Sequence, residues 1–573
     1  MAKTRKGAAG PKTAPTPTPY DEGLHFCPLG GSEQFGVNLN LYMCDGRWLL
    51  ADCGIGFADD TQPGVDILLP DPTYIERNPG RLEALIVTHA HEDHVGATAY
   101  LWERLGRPPI YCTAFTEAIL YNKFRDRGVR GAPVTIVRPG STSALGPFAA
   151  TCVPVAHSIP EAVGLIIDTP RGRVYHSADW NLDPTPPVGW TTDEGMLKRA
   201  GDEGVLAYIG DSTNAQVEGT TPSEAEVYEG LLAAFKKCKH RIAVTGFSSN
   251  IGRVVNVARA AHACGRKVCV VGRSFHKMIA AAEKLGYMDG VPAFLAEDDL
   301  ERTARDKIVL LVTGSQGEER AALTRIAGGN FAGVRLEGGD TVIYSSRMIP
   351  GNEKAILRVQ NLLAQRGVAV VTPAEAEGVI HVSGHPRQGD IARMYDLLRP
   401  AIVVPVHGEP AMLEAQAALA RARKKGPKVI VPANGAVIRL DGDAPGVVGE
   451  VPTGLLAVEV GGRIIDAEHA AIGERRRAAA EGVVHISLVL DRAGALLGEP
   501  RVDTIGLLDD RLEGDADILD DLYDAVEAEV AGLSDRARAD DEKVEDAVAR
   551  AAKAFFRRAM KVRPQTIVHV LRV

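Results

Sequence analysis

The stretch that most constrains this chain is His89-Ala90-His91-Glu92-Asp93-His94, which puts three imidazoles and the Asp93 carboxylate into six positions. It follows the apolar run Leu85-Ile86-Val87, which reads as a buried strand, and precedes Val95 to Trp102, which reads as the first turns of a helix. Alternate side chains at a strand end share a side. His89 and His91 therefore point together, while Asp93 and His94 face a second point where the chain turns. One imidazole pair and one Asp/His pair are what a two-metal site needs. Neutral imidazole and carboxylate suit zinc, with manganese, magnesium or iron as alternative occupants. The plainer reading is a polar loop capped by Asp93 with solvated histidines, and the density of donors argues against it.

A chain of 573 residues is too long for one core, and two to four domains are expected. A composition 45% hydrophobic and 24% charged places it among globular chains. No apolar run reaches the roughly 18 residues of a membrane-spanning helix, so no membrane partner is expected. Residues 1–22 carry Lys3, Arg5, Lys6 and Lys12 with repeated Thr-Pro and no apolar signal segment, and read as a disordered basic tail. The eight cysteines contain no Cys-x-x-Cys pair and look like thiols of a reducing, cytoplasmic compartment. A net charge of −9 excludes a protein coated in positive charge, so any nucleic acid must bind in a local groove.

Around the histidine stretch the chain reads as sheet. Asn38 to Tyr42 and Trp48 to Asp52 form a hairpin about Asp45-Gly46-Arg47. Asp52 closes that hairpin, where it is either a turn former or a residue that orients a metal ligand. Further strands end in His157, Asp179 and Asp211. Each alone would more often be structural; with the six-residue stretch, His157 and Asp179 supply ligands at one sheet edge.

Thr88 to His94, with Asp52 upstream and His157 and Asp179 downstream, resembles the metallo-β-lactamase superfamily. The resemblance implies an αββα sandwich with a two-metal site on one edge. It implies His89, His91 and His157 on one metal, Asp93, His94 and His407 on the other, and Asp179 between them. Residues 221–372 resemble the inserted β-CASP α/β domain of nucleic-acid-processing members, with helices expected at Ser223–Lys237 and Arg253–Cys264 and strands at Arg241–Thr245, Lys267–Val271, Lys307–Val312 and Thr341–Tyr344. Val382-Ser383-Gly384-His385 and Val404 to Glu409 are similar to that group's motifs B and C, with Asp211 as the acidic motif A. A histidine at 407 is the pattern of the RNA-processing branch.

Pro28-Leu29-Gly30-Gly31, Gly64 to Asp71, Gly210 to Asn214, Phe247 to Ile251 and Tyr344 to Glu353 narrow the resemblance to the ribonuclease J family, over roughly Leu24 to Leu440. Two places depart from it: Gly31 to Gly36 is looser than usual, and Gly252 stands where many relatives carry histidine. The resemblance divides the chain into a metallo-β-lactamase domain at 23–220 and 373–450, the insert at 221–372, a linker at 451–480 and a small α/β accessory domain at 481–573. The last is read as βααβ: strand Val483–Leu490, helices near 518–533 and 541–560, and strand Gln565–Leu571.

The expected chemistry is hydrolysis of single-stranded RNA, with two zinc ions per chain activating a water and clamping the phosphate. His385, Asp52 and Asp211 are the expected catalytic group, with His385 protonating the departing 3′ oxygen. The family implies 5′-to-3′ exonuclease action with a preference for 5′-monophosphate ends, some endonuclease action, roles in mRNA decay and rRNA maturation, and a homodimer or homotetramer. A terminal phosphate needs a nest of backbone N–H groups and hydroxyls. Two segments fit: Ser248-Ser249-Asn250-Ile251, and His381-Val382-Ser383-Gly384-His385. Lys236, Lys237, Lys239, Arg241, Arg253 and Arg273 could follow the RNA backbone, or be ordinary surface charges. The competing functions are a small-molecule metallohydrolase of the lactonase or thioesterase type, which needs no second domain roofing its site, and a purely endonucleolytic β-CASP enzyme. A non-enzymatic RNA-binding scaffold would lack ligands, and none is missing.

Overall fold

The computed structural model describes residues 18–349, 351–424, 426–509 and 511–573, so most of the tail expected at 1–22 lies outside the described residues. The chain forms two compact units, residues 1–56 with 69–455, and residues 57–68 with 456–573.

In the first unit two sheets face each other. One has eight strands, in the order 446–450, 436–439, 24–30, 39–44, 47–51, 82–87, 110–112, 134–136. The other has seven, in the order 428–429, 402–406, 207–211, 172–176, 163–169, 148–154, 142–145. The hairpin Leu39–Cys44/Arg47–Ala51 turns on Asp45 (φ 46°) and Gly46 (φ 80°), the two positive-φ residues a tight turn of the sheet's own twist requires. Inward side chains of both sheets, among them Phe26, Tyr42, Leu49, Ile86, Phe148, Leu165, Ile209 and Val404, form one buried cluster. Each fully buried large apolar side chain contributes roughly 1.5–3 kcal/mol, enough to fix the sheet edges on which the site is built. Helices Glu194–Glu203, Gln388–Leu398 and Pro410–Arg421 cover the outer face of the second sheet through Leu197, Leu398, Met394 and Ala420.

Parallel pairings decide where the functional residues end up. Arg47–Ala51 runs parallel to Leu82–Val87, so Asp52 and His89 leave the same edge. Gly172–His176, Ala207–Asp211 and Ile402–Val406 are successive parallel neighbours, with Asp211 beside Val406. Asp179, Asp211 and His407 therefore emerge together, at the carboxyl ends of parallel strands where α/β sheets place their sites.

Between Asp211 and Ile402 the chain makes a separate five-stranded parallel sheet, in the order 267–271, 308–312, 242–245, 341–344, 369–371. Its strands are near-continuous apolar runs, such as Ile308-Val309-Leu310-Leu311-Val312, because helices bury both faces. The expected helices appear at Glu224–Lys237, where Ser223 and Glu226 form a capping box, and at Ile251–Ala263. The expected strands appear with starts shifted by at most one residue.

Asp441 to Gly446 is a hairpin connection between strands Ala436–Arg439 and Gly446–Glu450, with Arg439 Nε donating to Asp441 at 3.1 Å. Two expectations change. Residues 451–480 hold strands Leu455–Glu459 and Ile464–Asp466 and helix Ala470–Glu481. The glycines there make the hairpin turn at 461–462, and Arg475 pairs with the Glu459 carboxylate. In the accessory domain an additional strand, Arg501–Ile505, pairs antiparallel with Val483–Leu490, while Gln565–Arg572 pairs parallel on its other side. Helices Glu513–Gly532 and Asp541–Ala559 pack Leu522, Val526, Val544 and Phe556 against Ile486 and Leu488.

Candidate metal centre and RNA-processing site

The strand ends bring all seven expected metal ligands together. His89, His91 and His157 converge: His89 Nε2 and His157 Nε2 lie 3.1 and 3.0 Å from His91 Nδ1. Each of those Nε2 atoms lies 3.6 Å from Asp179 Oδ2. On the other side His94 Nε2 and His407 Nε2 are each 3.3 Å from Asp179 Oδ1, and lie 3.4 and 3.8 Å from Asp93 Oδ2. Asp179 is buried between the two groups with one oxygen toward each, and its Oδ1 has no hydrogen-bond partner among the described residues.

The backs of the imidazoles decide what they offer to the front. His94 Nδ1 donates to Asp52 Oδ2 at 2.8 Å, His157 Nδ1 to the Gly384 carbonyl at 2.8 Å, and His407 Nδ1 to Asn38 Oδ1 at 3.1 Å. His89 Nδ1 donates at 3.1 Å to the hydroxyl of Thr88, whose own proton goes to Asp52. With Nδ1 engaged behind, each of these four rings turns its Nε2 to the interior, the orientation that a metal-ligating histidine needs. Burial drives His91 down to about 3 and His157 down to about 4, with neighbouring imidazoles adding to the effect for both, and it holds His89 well below its ordinary value. All three are neutral imidazoles, the ligating form. Burial opposes charge on His94 as well, but the carboxylates of Asp179, Asp93 and Asp52 prevail and push its pKa well above the ordinary value. Burial likewise opposes the ionised form of Asp179, yet His407, His94 and His385 hold its carboxyl well below the usual range. A concentrated set of lone pairs and carboxylate oxygens around an unpartnered buried oxygen fits metal ions of the zinc class.

His385 stands beside this centre. Its Nδ1 donates to Asp211 Oδ2 at 2.8 Å and lies 3.8 Å from Asp179 Oδ2. Burial disfavours the imidazolium, but Asp211 and Asp179 overcome it and raise the pKa to about 9. Asp211 is itself fixed, accepting from the Thr213 backbone N–H at 2.9 Å. Gly384 is required for this loop: a Cβ there would lie 2.5 Å from the His157 ring.

Asn38, Thr88 and Asn214 were not singled out from the sequence. Asn38 donates to the Asp93 carbonyl at 2.9 Å while accepting from His407. Asn214 donates to Ser383 Oγ at 2.8 Å and to the His385 carbonyl at 3.3 Å, and accepts from Arg347 Nη1 at 2.7 Å. Their signal was position, since Asn38 opens a strand and Thr88 and Asn214 adjoin expected site residues; a lone amide or hydroxyl announces no chemistry.

The two expected phosphate-binding segments are joined by Arg253. Its guanidinium bonds Glu224, the Ser345 carbonyl at 2.6 Å, His381 Nδ1 at 3.3 Å and the Val382 carbonyl at 3.5 Å. It is 3% exposed, so it braces the insert and does not follow RNA as a surface charge. Burial and the Arg253 charge lower His381 to about 3. Asn250 is spent as a helix cap, accepting from the Arg253 N–H at 2.8 Å. Ile251 and Val382 are buried in apolar clusters, so their backbone groups are what they can offer to a nest of the expected kind. Ser248, Ser249 and Ser383 are half-buried. Of the expected RNA-tracking cations, Lys237 is also paired, with Glu377.

Residues 47–194 match the beta-lactamase superfamily domain, 239–363 the ribonuclease J beta-CASP domain, 353–432 the Zn-dependent metallo-hydrolase RNA specificity domain, and 470–573 the ribonuclease J C-terminal domain. Ribonuclease J of Sinorhizobium meliloti is 42% identical, over 96% of this chain and 98% of that one. The chain belongs to the ribonuclease J family. Ribonuclease J of Mycolicibacterium smegmatis is 35% identical over 98% of this chain and 99% of its own, and that of Corynebacterium glutamicum 38% over 89% and 71%. A crystal structure of a protein of unknown function from Enterococcus faecalis V583 superposes with a TM-score of 0.51 at 15% identity, covering 72% of this chain and 99% of that one, and shares the fold. The expected αββα sandwich with its β-CASP insert and C-terminal ribonuclease J domain holds, as does membership among metal-binding, RNA-processing hydrolases. Among the described residues no helix is long and apolar enough to cross a membrane.

Proposed function

We propose that this ribonuclease J family enzyme hydrolyses single-stranded RNA from the 5′ end, preferring a 5′-monophosphate, with endonucleolytic cleavage as a second mode. The observation that carries the chemistry is Asp179, buried with one oxygen toward each of two donor groups and flanked by His385. Two zinc ions held by His89, His91 and His157 on one side and by Asp93, His94 and His407 on the other, with Asp179 between, would supply an activated water and charge compensation for the scissile phosphate. Asp52, Asn38 and Thr88 orient the ligating imidazoles from behind. Asp211 holds His385 by its Nδ1–H, so the opposite Nε2–H faces outward to protonate the leaving 3′ oxygen. The product then carries a 5′-phosphate, which fits a terminal-phosphate nest as the next substrate end.

Support for that nest comes from Ser383, whose hydroxyl accepts the His385 N–H at 3.3 Å and sits two residues from the proposed acid. The Ser248–Ser249 turn is the second wall of the reading, linked to the first through Arg253. A cytoplasmic enzyme of mRNA decay and rRNA maturation, working as a homodimer or homotetramer, is the setting that family membership supports. The lactonase or thioesterase alternative is disfavoured by the RNA specificity match at 353–432. The reading is tested by incubating purified protein with end-labelled RNA bearing a 5′-monophosphate, triphosphate or hydroxyl: mononucleotides should appear fastest from the monophosphate.

A further inference from the structure

In the accessory domain, strand Val483–Leu490 lies between Arg501–Ile505 and Gln565–Arg572. Even-numbered residues of the central strand, Val484, Ile486 and Leu488, are buried under the helices. Its odd-numbered residues face the other way, onto a side where Ile505, Ile567 and Leu571 are exposed. His485 and His569 stand on that open face, two residues apart in the parallel register, since His485 pairs with Ile567 and Ser487 with His569. His485 Nε2 and His569 Nδ1 are 3.1 Å apart, with ring centroids 4.7 Å apart and planes at 82°.

Those values match the catalytic imidazoles. His89/His91 and His91/His157 have nitrogen separations of 3.1 and 3.0 Å, centroid separations of 4.8 and 4.7 Å, and interplanar angles of 80° and 78°. An ion bonding two imidazole nitrogens at about 2.0–2.1 Å holds them roughly 2.8–3.4 Å apart at angles between square and tetrahedral. Asp503 sits directly opposite His485 in the antiparallel register, on the same face, with its carboxylate 3.2 Å from Arg501. It places a third donor within side-chain reach.

We infer that His485 and His569 form a surface site for one divalent transition ion of the zinc class, with Asp503 as the neighbouring carboxylate. The site is independent of the catalytic reading, since it shares no residue with it. Because the pair is open to solvent, the ion exchanges freely and its remaining positions are filled by water or Asp503.

The test uses the full-length chain, stripped with chelator and titrated with zinc, with bound metal counted by elemental analysis and calorimetry. H485Q/H569Q should bind one zinc per chain fewer than wild type while keeping its ribonuclease activity in saturating metal. H569Q alone should weaken that zinc roughly 100-fold, the loss expected when a chelating pair becomes one ligand. Should the double variant misfold, the single variants at half-buried His485 and exposed His569 decide. Equal zinc stoichiometry and affinity in wild type and single variants would overturn the site.

Discussion

Asp211 Oδ2 lies 2.8 Å from His385 Nδ1, although 174 residues separate them in sequence. The whole β-CASP insert is threaded between the strand that ends in Asp211 and the loop that carries His385, so the pair reports the joining of the insert to the sandwich. Asp211 fixes the ring through Nδ1 and leaves Nε2 clear of that bond, where the proposed acid would serve the substrate. His385→Ala should therefore keep its metal and its thermal transition but lose about 10²–10⁴-fold in the chemical rate. Asp211→Asn should move the same way with a smaller loss. Metal analysis beside single-turnover cleavage separates this from loss of a ligand; a metal-depleted His385→Ala protein would make His385 a ligand and refute its role as acid.

Asp93 and His94 bound one side of the centre, and each lies near Asp179 or His407. The double replacement by alanine should reduce both bound metal and activity. Full activity in that variant would remove these residues from the site.

Asn38 touches three parts of the same side: His407, the Asp93 carbonyl and, at 3.4 Å, His94. Asn38→Ala should lower metal affinity about 10–100-fold, the usual range when a residue orienting a metal ligand is removed. The check is the zinc concentration needed for half-maximal activity; an unchanged requirement would leave Asn38 a structural residue only.

Arg253 is buried against Glu224, and removing one partner of a buried ion pair costs about 3–5 kcal/mol. Arg253→Met should lower the thermal transition of the full chain. Because Arg253 also spans the Ser249 and His381 segments, the variant should lose discrimination among 5′ ends. A normal transition with weakened binding to every RNA would instead make it a backbone contact.

Much of this was legible because metal chemistry crowds its donors. Six positions at 89–94 located the centre, and strands ending in His157 and Asp179 supplied further candidate ligands, with the Asp211 that holds His385 beside them, because strands running the same way share a carboxyl edge. The insert was readable from strand–helix alternation, since strands buried on both faces are nearly pure apolar runs. What stayed hidden has physical causes. Asn38 acts through one amide whose partners are 55 and 369 residues away. Arg253 looks like any surface cation until Glu224 is seen to bury with it. Arg501–Ile505 pairs on one side only, and its charged residues mask the strand pattern. Residues 451–480 read as linker because glycines that serve a hairpin turn look the same as glycines in open chain.

The central claim is directional hydrolysis from a 5′-monophosphate. It is tested most directly by giving the zinc-loaded full-length protein a uniformly labelled single-stranded RNA bearing a 5′-monophosphate, beside the same RNA bearing a triphosphate or hydroxyl. The predicted result is immediate release of labelled mononucleotide from the monophosphate RNA, slower release from the other two, and erosion of that difference in Ser383→Ala or Ser249→Ala before cleavage itself is lost. Equal rates on all three ends, with only internal fragments formed, would contradict it.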